Sequence, residues 1–125
     1  MDEITPENVQ EKINLFQQMQ QQSQALAQQI SQIDVTIAET ERTLNELKGA
    51  TKKNTIYRAI GSVMKKVDDV KKLKEELNEE KETMEIRNKT LKNQVNALNT
   101  QIEELQKKLT PVVQSIQNTN QNATK

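Results

Sequence analysis

The stretch from Asn54 to Val67 carries the chemistry this chain can offer, and that chemistry is recognition rather than bond-making. It reads N-T-I-Y-R-A-I-G-S-V-M-K-K-V. Ile56, Arg58 and Ile60 alternate with Tyr57 and Ala59, and Val63, Lys65 and Val67 alternate with Met64 and Lys66. A period of two, broken by Gly61-Ser62, predicts two short strands joined by a tight turn. A lone two-stranded hairpin is marginal in water. Each of its outer edges also offers unpaired N–H and C=O groups to any passing strand. No other stretch of the sequence reads as a strand that would cover those edges, so other chains are expected to do so. The hairpin is therefore expected to be an assembly site from which the rest of the chain hangs.

No residue set has the types and spacing that catalysis needs. The chain has no histidine and no cysteine, which removes the usual general base, the thiol nucleophile, disulfides and thiolate metal sites. Its only glycines are Gly49 and Gly61, so there is no phosphate-cradling loop. The carboxylates fall on helix faces that the pattern leaves to solvent. Catalytic, cofactor-binding and metal-ligating residues are expected to be absent, and the chain is read as a non-enzyme that needs no cofactor. Eighteen basic and eighteen acidic residues leave a net charge of zero, which argues against nucleic acid as the main partner. The longest apolar run, Ala25-Leu26-Ala27, is far short of a membrane span. Met1-Asp2-Glu3 is acidic where a signal peptide would be basic and then apolar. A cytoplasmic location without membrane contact is expected.

The elements that must carry the hairpin are helical. Of the 125 residues only 33% are hydrophobic and 2% aromatic, Phe16 and Tyr57 being the aromatic ones. Too little core volume exists for a compact globule, so the buried surface must be a narrow seam, as in a coiled coil. Thr5-Pro6-Glu7 is a helix start, with a capping hydroxyl, a proline suited to the first turn and an acid facing the helix dipole. A heptad follows through Val9, Lys12, Phe16, Met19, Ser23, Leu26, Ile30, Ile33, Ile37, Thr40, Leu44 and Leu47, nine of them apolar. Gly49 is expected to close this helix in the left-handed conformation. After the hairpin, Asp68-Asp69 offers an N-cap, with Asp68 placed to pair with Lys72. A second heptad runs through Val67, Val70, Lys74, Leu77, Lys81, Met84, Asn88, Leu91, Val95, Leu98, Ile102, Leu105, Leu109, Val112 and Ile116, twelve of them apolar. Lys74, Lys81 and Asn88 soften the half nearest the hairpin, where a polar seam residue fixes register at some cost in stability. Glu85–Lys89, Glu103–Lys107 and Glu104–Lys108 have the favourable acid-first order.

One domain over residues 1–125 is expected, with helix 1 over 6–48, the β-hairpin over 54–67, helix 2 over 68–118 and a disordered tail over 119–125. The short connection folds the helices back antiparallel, with facing residue numbers totalling about 115–120 if the turn is the midpoint. Pro111 then falls where the partner helix stops, and Val112 and Ile116 run past it. No charged residue occurs between Ile13 and Ile33, and nine of the sixteen residues from Gln17 to Gln32 are glutamine. The helix ends remote from the hairpin thus present a neutral surface. Ile4, Ile13, Leu15 and Val113 lie off the seam there, and apolar groups of this kind suggest contact with something else. Seam residues such as Phe16, Leu105 and Leu109 equally read as plain coiled-coil core.

The whole pattern resembles the prefoldin family, and within it the archaeal beta class. The likeness rests on N-V-Q-E-K-I-N-L-F-Q-Q-M-Q-Q-Q-S-Q-A at Asn8 to Ala25, on T-L-N-E-L at Thr43 to Leu47, and above all on I-Y-R-A-I-G-S-V-M at Ile56 to Met64. The resemblance implies a mainly α fold, an antiparallel two-helix coiled coil with a single β-hairpin, whose strands are completed by oligomerisation into a β-barrel body. It implies a hexamer of four such chains with two alpha-class subunits. It implies capture of unfolded proteins at the coiled-coil tips without ATP, and their delivery to a group II chaperonin. Ile56, Tyr57, Ala59, Ile60, Gly61, Val63 and Met64 would then build the barrel. Val9, Ile13, Phe16, Met19, Leu105, Leu109, Val112, Val113 and Ile116 would be the residues available to clients. Met64-Lys65-Lys66 is more polar than the apolar second strand this pattern implies, and Lys52-Lys53 is unusually basic for the loop.

Two other readings are consistent with tentacle-like helices. A coiled-coil scaffold or tether that docks one folded partner predicts no activity toward unfolded chains and gives the strand-like insert no purpose. A periplasmic holdase would call for an export signal and a basic charge balance, and the sequence carries neither.

Overall fold

The structure, a computed structural model, describes residues 3–50 and 54–123, with side chains to residue 119. In order, the elements are helix α1 (Val9–Leu47), strands β1 (Tyr57–Ile60) and β2 (Val63–Lys66), and helix α2 (Val70–Ala123). The chain divides into two compact units, one formed by Met1–Gln29 with Leu91–Lys125 and the other by Ile30–Thr90. The expected mainly helical fold with a single hairpin is what the chain adopts.

Both heptads face inward. All twelve seam positions of α1 and all fifteen of the second run, Val67 included, are buried or half-buried. The helices are antiparallel, but their register departs from the expected one. Ser23 Oγ meets Asn99 Oδ1 at 2.7 Å, Asn88 Nδ2 donates to Asp34 Oδ1 at 2.6 Å, and Lys81 Nζ lies 3.3 Å from Glu41 Oε1. In each pair the residue numbers total 122, not 115–120. Half of that total is 61, so the pivot of the pairing is Gly61 at the tip of the hairpin and not a point before it. Pro111, within α2, consequently lies level with the first turn of α1. Val112 packs on the core there instead of running past its partner.

The ends of the helices show local chemistry at work. α1 begins at Val9 and not at residue 6: Thr5 and Asn8 instead close the turn over 5–8 that leads into it. The Thr5 amide donates to Asn8 Oδ1 at 2.8 Å, and the Asn8 amide donates to Thr5 Oγ1 at 3.4 Å. This is the reciprocal pattern of a capping box, with asparagine in the place usually held by glutamate or glutamine. Ile4, just before the turn, is buried with Met19, Leu105 and Leu109, and Val9 packs on the same cluster. Ile4 therefore belongs to the core, as a hydrophobic staple across the turn, and not to an off-seam surface.

Gly49 does not take the left-handed conformation, since Gly61 is the described residue with positive φ. The last carbonyls of α1 are met by tight i→i+3 bonds from Lys48 to Asn45 and from Ala50 to Leu47. At the start of α2, Asp69 accepts the Lys72 amide at 3.1 Å, so it is the capping acid, in place of an Asp68–Lys72 ion pair. Glu85 engages Lys81, at 3.7 Å, and not Lys89. α2 also continues to Ala123, so the tail expected from 119 is helical through that residue. No glycine or proline follows Pro111, and extending a formed helix costs far less than starting one. The remaining tail residues, 124–125, and the Lys52-Lys53 pair lie outside the described residues.

Lys74, Lys81 and Asn88, the polar seam residues of α2, sit in the unit that carries the hairpin. Asn88 is 4% exposed, and although its amide nitrogen reaches Asp34, its Oδ1 has no hydrogen-bond partner. A buried acceptor left unpaired costs about 1–3 kcal/mol. Asn88→Leu should accordingly stabilise the unit by about 1 kcal/mol, raising the urea midpoint. A fall of similar size would show that the Asp34 bond outweighs the orphaned oxygen.

Candidate functional site

The hairpin is built as its sequence dictates. β1 and β2 pair antiparallel with Tyr57 opposite Lys66, Arg58 opposite Lys65, Ala59 opposite Met64 and Ile60 opposite Val63. The Val67 amide donates to the Ile56 carbonyl at 2.8 Å, extending the ladder by one pair. Gly61 has φ 59° and Ser62 does not have positive φ, so the two-residue loop is of type II′, which matches the twist of the strands. The sheet contains these two strands among the described residues, and both outer edges are unpaired.

Alternation sorts the side chains onto two faces. Ile56, Arg58, Ile60, Val63, Lys65 and Val67 share one face, and Tyr57, Ala59, Met64 and Lys66 share the other. Arg58 reaches α2, with its guanidinium 3.5 Å from Glu76 and 3.8 Å from Glu80. All three side chains are 44–55% exposed, so the pairs orient the hairpin more than they stabilise it. They also draw Arg58 away from Lys65, the like charge directly opposite, whose repulsion would weaken the ladder.

Of the expected assembly residues, Ile56 is half-buried and the other six are exposed. Tyr57, Ile60, Val63 and Met64 are between 56% and 64% exposed. Ile60 with Val63 on one face, and Tyr57 with Met64 on the other, leave both faces of the hairpin with large apolar side chains in need of cover. Beneath it, Leu73 is buried, which the heptad alone did not indicate. The signal was its place one helical turn after Asp69, where it borders the same groove as Ala59, Ile60 and Val67.

The expected client residues divide differently. Leu105 is fully buried, and Met19 and Leu109 are 8% and 6% exposed, so these three are seam core in the unit that holds both termini. Val9, Phe16 and Val112 pack on that core and are half-buried, as is Ile13. Val113 and Ile116 are also half-buried, and Leu15 is 39% exposed. The apolar side chains accessible at this end are thus the half-buried rim. In the other unit Val35 and Ile86 are exposed as well, in keeping with scattered surface apolars.

The described residues contain no group of carboxylates placed to hold a metal, and no described helix is long and apolar enough to cross a membrane.

The family model for prefoldin subunits matches residues 10–116 of the chain. Prefoldin subunit beta of Archaeoglobus fulgidus is 40% identical over 66 residues, 53% of this chain and 56% of that protein. The subunits beta of Methanospirillum hungatei and Thermoplasma volcanium are each 39% identical, over 64 and 60 residues. Those alignments cover 51% and 48% of this chain and 52% and 48% of the two proteins, so the chain spans about half the length of the curated relatives it matches. The crystal structure of the prefoldin beta subunit from Thermococcus strain KS-1 superposes with a TM-score of 0.73 at 28% identity, over 89% of this chain and 96% of that one. With two heptad helices antiparallel, one type II′ hairpin between them and a family match across most of its length, the chain belongs to the prefoldin subunit family.

Proposed function

We propose that this chain is a subunit of a cytosolic, ATP-independent holdase, which assembles through its hairpin and captures unfolded proteins at the helix ends. The hairpin carries the reading. Two strands with both edges open and four exposed apolar side chains are an incomplete sheet, and a family of assembling subunits supplies what would complete it. Four such chains with two alpha-class subunits, their strands closed into a β-barrel body, would leave no edge exposed. Handover of clients to a group II chaperonin is the step that the same resemblance implies.

The half-buried rim supports the capture half of the proposal. Ile13, Val112, Val113 and Ile116 offer partial apolar surface, and from Asn14 to Gln32 α1 carries no formal charge. Each would grip a client weakly, and several arms together would hold it by multivalency. Weak individual contacts release without nucleotide.

Removing residues 1–16 and 104–125 tests this. The assembled complex should persist, while its suppression of aggregation of a denatured client, followed by light scattering, should disappear. Unchanged protection would refute capture at the helix ends. Absence of protection by the intact complex, together with tight binding of one folded protein, would favour a scaffold or tether instead.

A further inference from the structure

We infer that the two edges of the hairpin select different neighbours: β2 takes a strand bearing carboxylates from a chain of different sequence, while β1 takes a neutral strand. The inference rests on the hairpin being the assembly site and names the chemistry of the partner there. Between Asn54 and Val67 the chain has three basic residues, Arg58, Lys65 and Lys66, and no acidic one. Arg58, on β1, is compensated within its own molecule by Glu76 and Glu80. What β1 then presents to a neighbour is Tyr57, Ala59 and Ile60, with no net charge. Lys65 and Lys66, on β2, are both exposed and make no ion pair among the described residues. Asp68 and Asp69 border the same groove but pair with neither lysine, and Asp69 is committed to capping α2.

Neighbouring residues on a strand point to opposite faces. An incoming strand on the β2 edge therefore meets an ammonium on each of its faces, either directly across or on the diagonal. Opposite charges at such positions stabilise a strand pair and like charges weaken it. Exposed edge lysines are also a common device against unwanted strand addition. A second copy of this chain offers that edge either more lysine, from its β2, or the neutral β1, and in neither case a carboxylate to pair with the ammonium groups. A copy pairing β1 to β1 meets no such obstacle. This sets the direction of assembly: like chains join through β1, and a different, acidic strand is admitted at β2.

The test uses full-length chains. Wild type is mixed with an isotope-labelled Lys65→Glu/Lys66→Glu variant, and the masses are read by native mass spectrometry. Wild type alone should stop at dimers. The mixture should form larger complexes, with contacts between unlike chains exceeding the statistical share by about tenfold. That excess should shrink as salt is raised to roughly 0.5 M. Statistical mixing, or growth of wild type alone beyond dimers to the same extent, would overturn the inference. A third chain lacking residues 56–66 separates the two levels. If complexes persist without the hairpin, the assembly reading itself fails. If they vanish without the hairpin but mixing is statistical, only the charge selection fails. If no mixture assembles at all, both fall.

Discussion

Leu105→Ala should lower the stability of the unit that holds both termini by about 3 kcal/mol, within the range that buried leucine truncations show. Leu105 is the one side chain with no exposure among the described residues, and it packs with Ile4, Met19 and Leu109 under a rim of Phe16, Leu98, Ile102 and Val112. Those four buried residues come from both helices and from the segment before α1, so one truncation loosens three pieces of chain. In a globular core the cavity would stay dry. In a two-helix seam, water lies close on either flank, so part of the void can fill or collapse, and the upper end of the range, about 5 kcal/mol, is not expected. A domain is stable by only about 5–15 kcal/mol in total, so the loss is a large fraction of what is available. Native-state hydrogen exchange is the fitting measurement, because local opening is read amide by amide. Amides of Val9–Gln29 and of the helix after Leu91 should exchange roughly a hundredfold faster, which is what about 3 kcal/mol implies. Ile102→Ala, at a half-buried position, should have well under half that effect. An effect at Leu105 below about 1 kcal/mol would mean that the seam there is not a packed core.

Why Leu105 and not another leucine is the buried centre was only partly legible in the sequence. The heptads were fully legible, because a seam between two helices has one periodic requirement and β-branched, leucine and methionine side chains meet it. The strands were legible too, since Gly61-Ser62 between two alternating tetrads leaves little else to build. What escaped depends on interactions across the chain or on exact backbone geometry. Ile4 lies before the helix and outside the heptad, and its burial follows from the staple across the turn that Thr5 opens. Asn8 closes that turn with an asparagine where the familiar pattern has a longer acid or amide. Gly49 had the right residue type for a left-handed cap, but tight carbonyl bonds to the last turn made it unnecessary. The register was off by a few residues because the hairpin, not the stretch before it, is the pivot. The pairing of Arg58 with Glu76 and Glu80 joins residues whose sequence separation no local rule connects. For the site, the hairpin residues named for assembly are exposed in the single chain, all but Ile56. The client set mixed rim with core, since periodicity reports which way a residue faces but not how deep its neighbours bury it.

Replacing Ile60 and Val63 together by aspartate should separate the chain from its assembly while leaving its helices intact. The two residues face each other next to the turn, 56% and 62% exposed, so within the single chain the change removes little packing. Two facing carboxylates repel, at about 0.2–1 kcal/mol, a modest cost to a hairpin whose Gly61 turn and backbone ladder are unchanged. In a closed sheet the same positions would be dry. A carboxylate left unpaired there costs several kcal/mol, and about 4 kcal/mol already weakens association roughly a thousandfold. The variant should therefore sediment as a single chain at concentrations where wild type is assembled, with helical circular dichroism unchanged. The contrast with Leu105→Ala gives the experiment its force. That substitution should soften the helices without altering mass, and this one should alter mass without softening the helices. If the aspartate pair assembles as wild type does, the exposed strands are not the contact between chains, and another surface must complete the assembly.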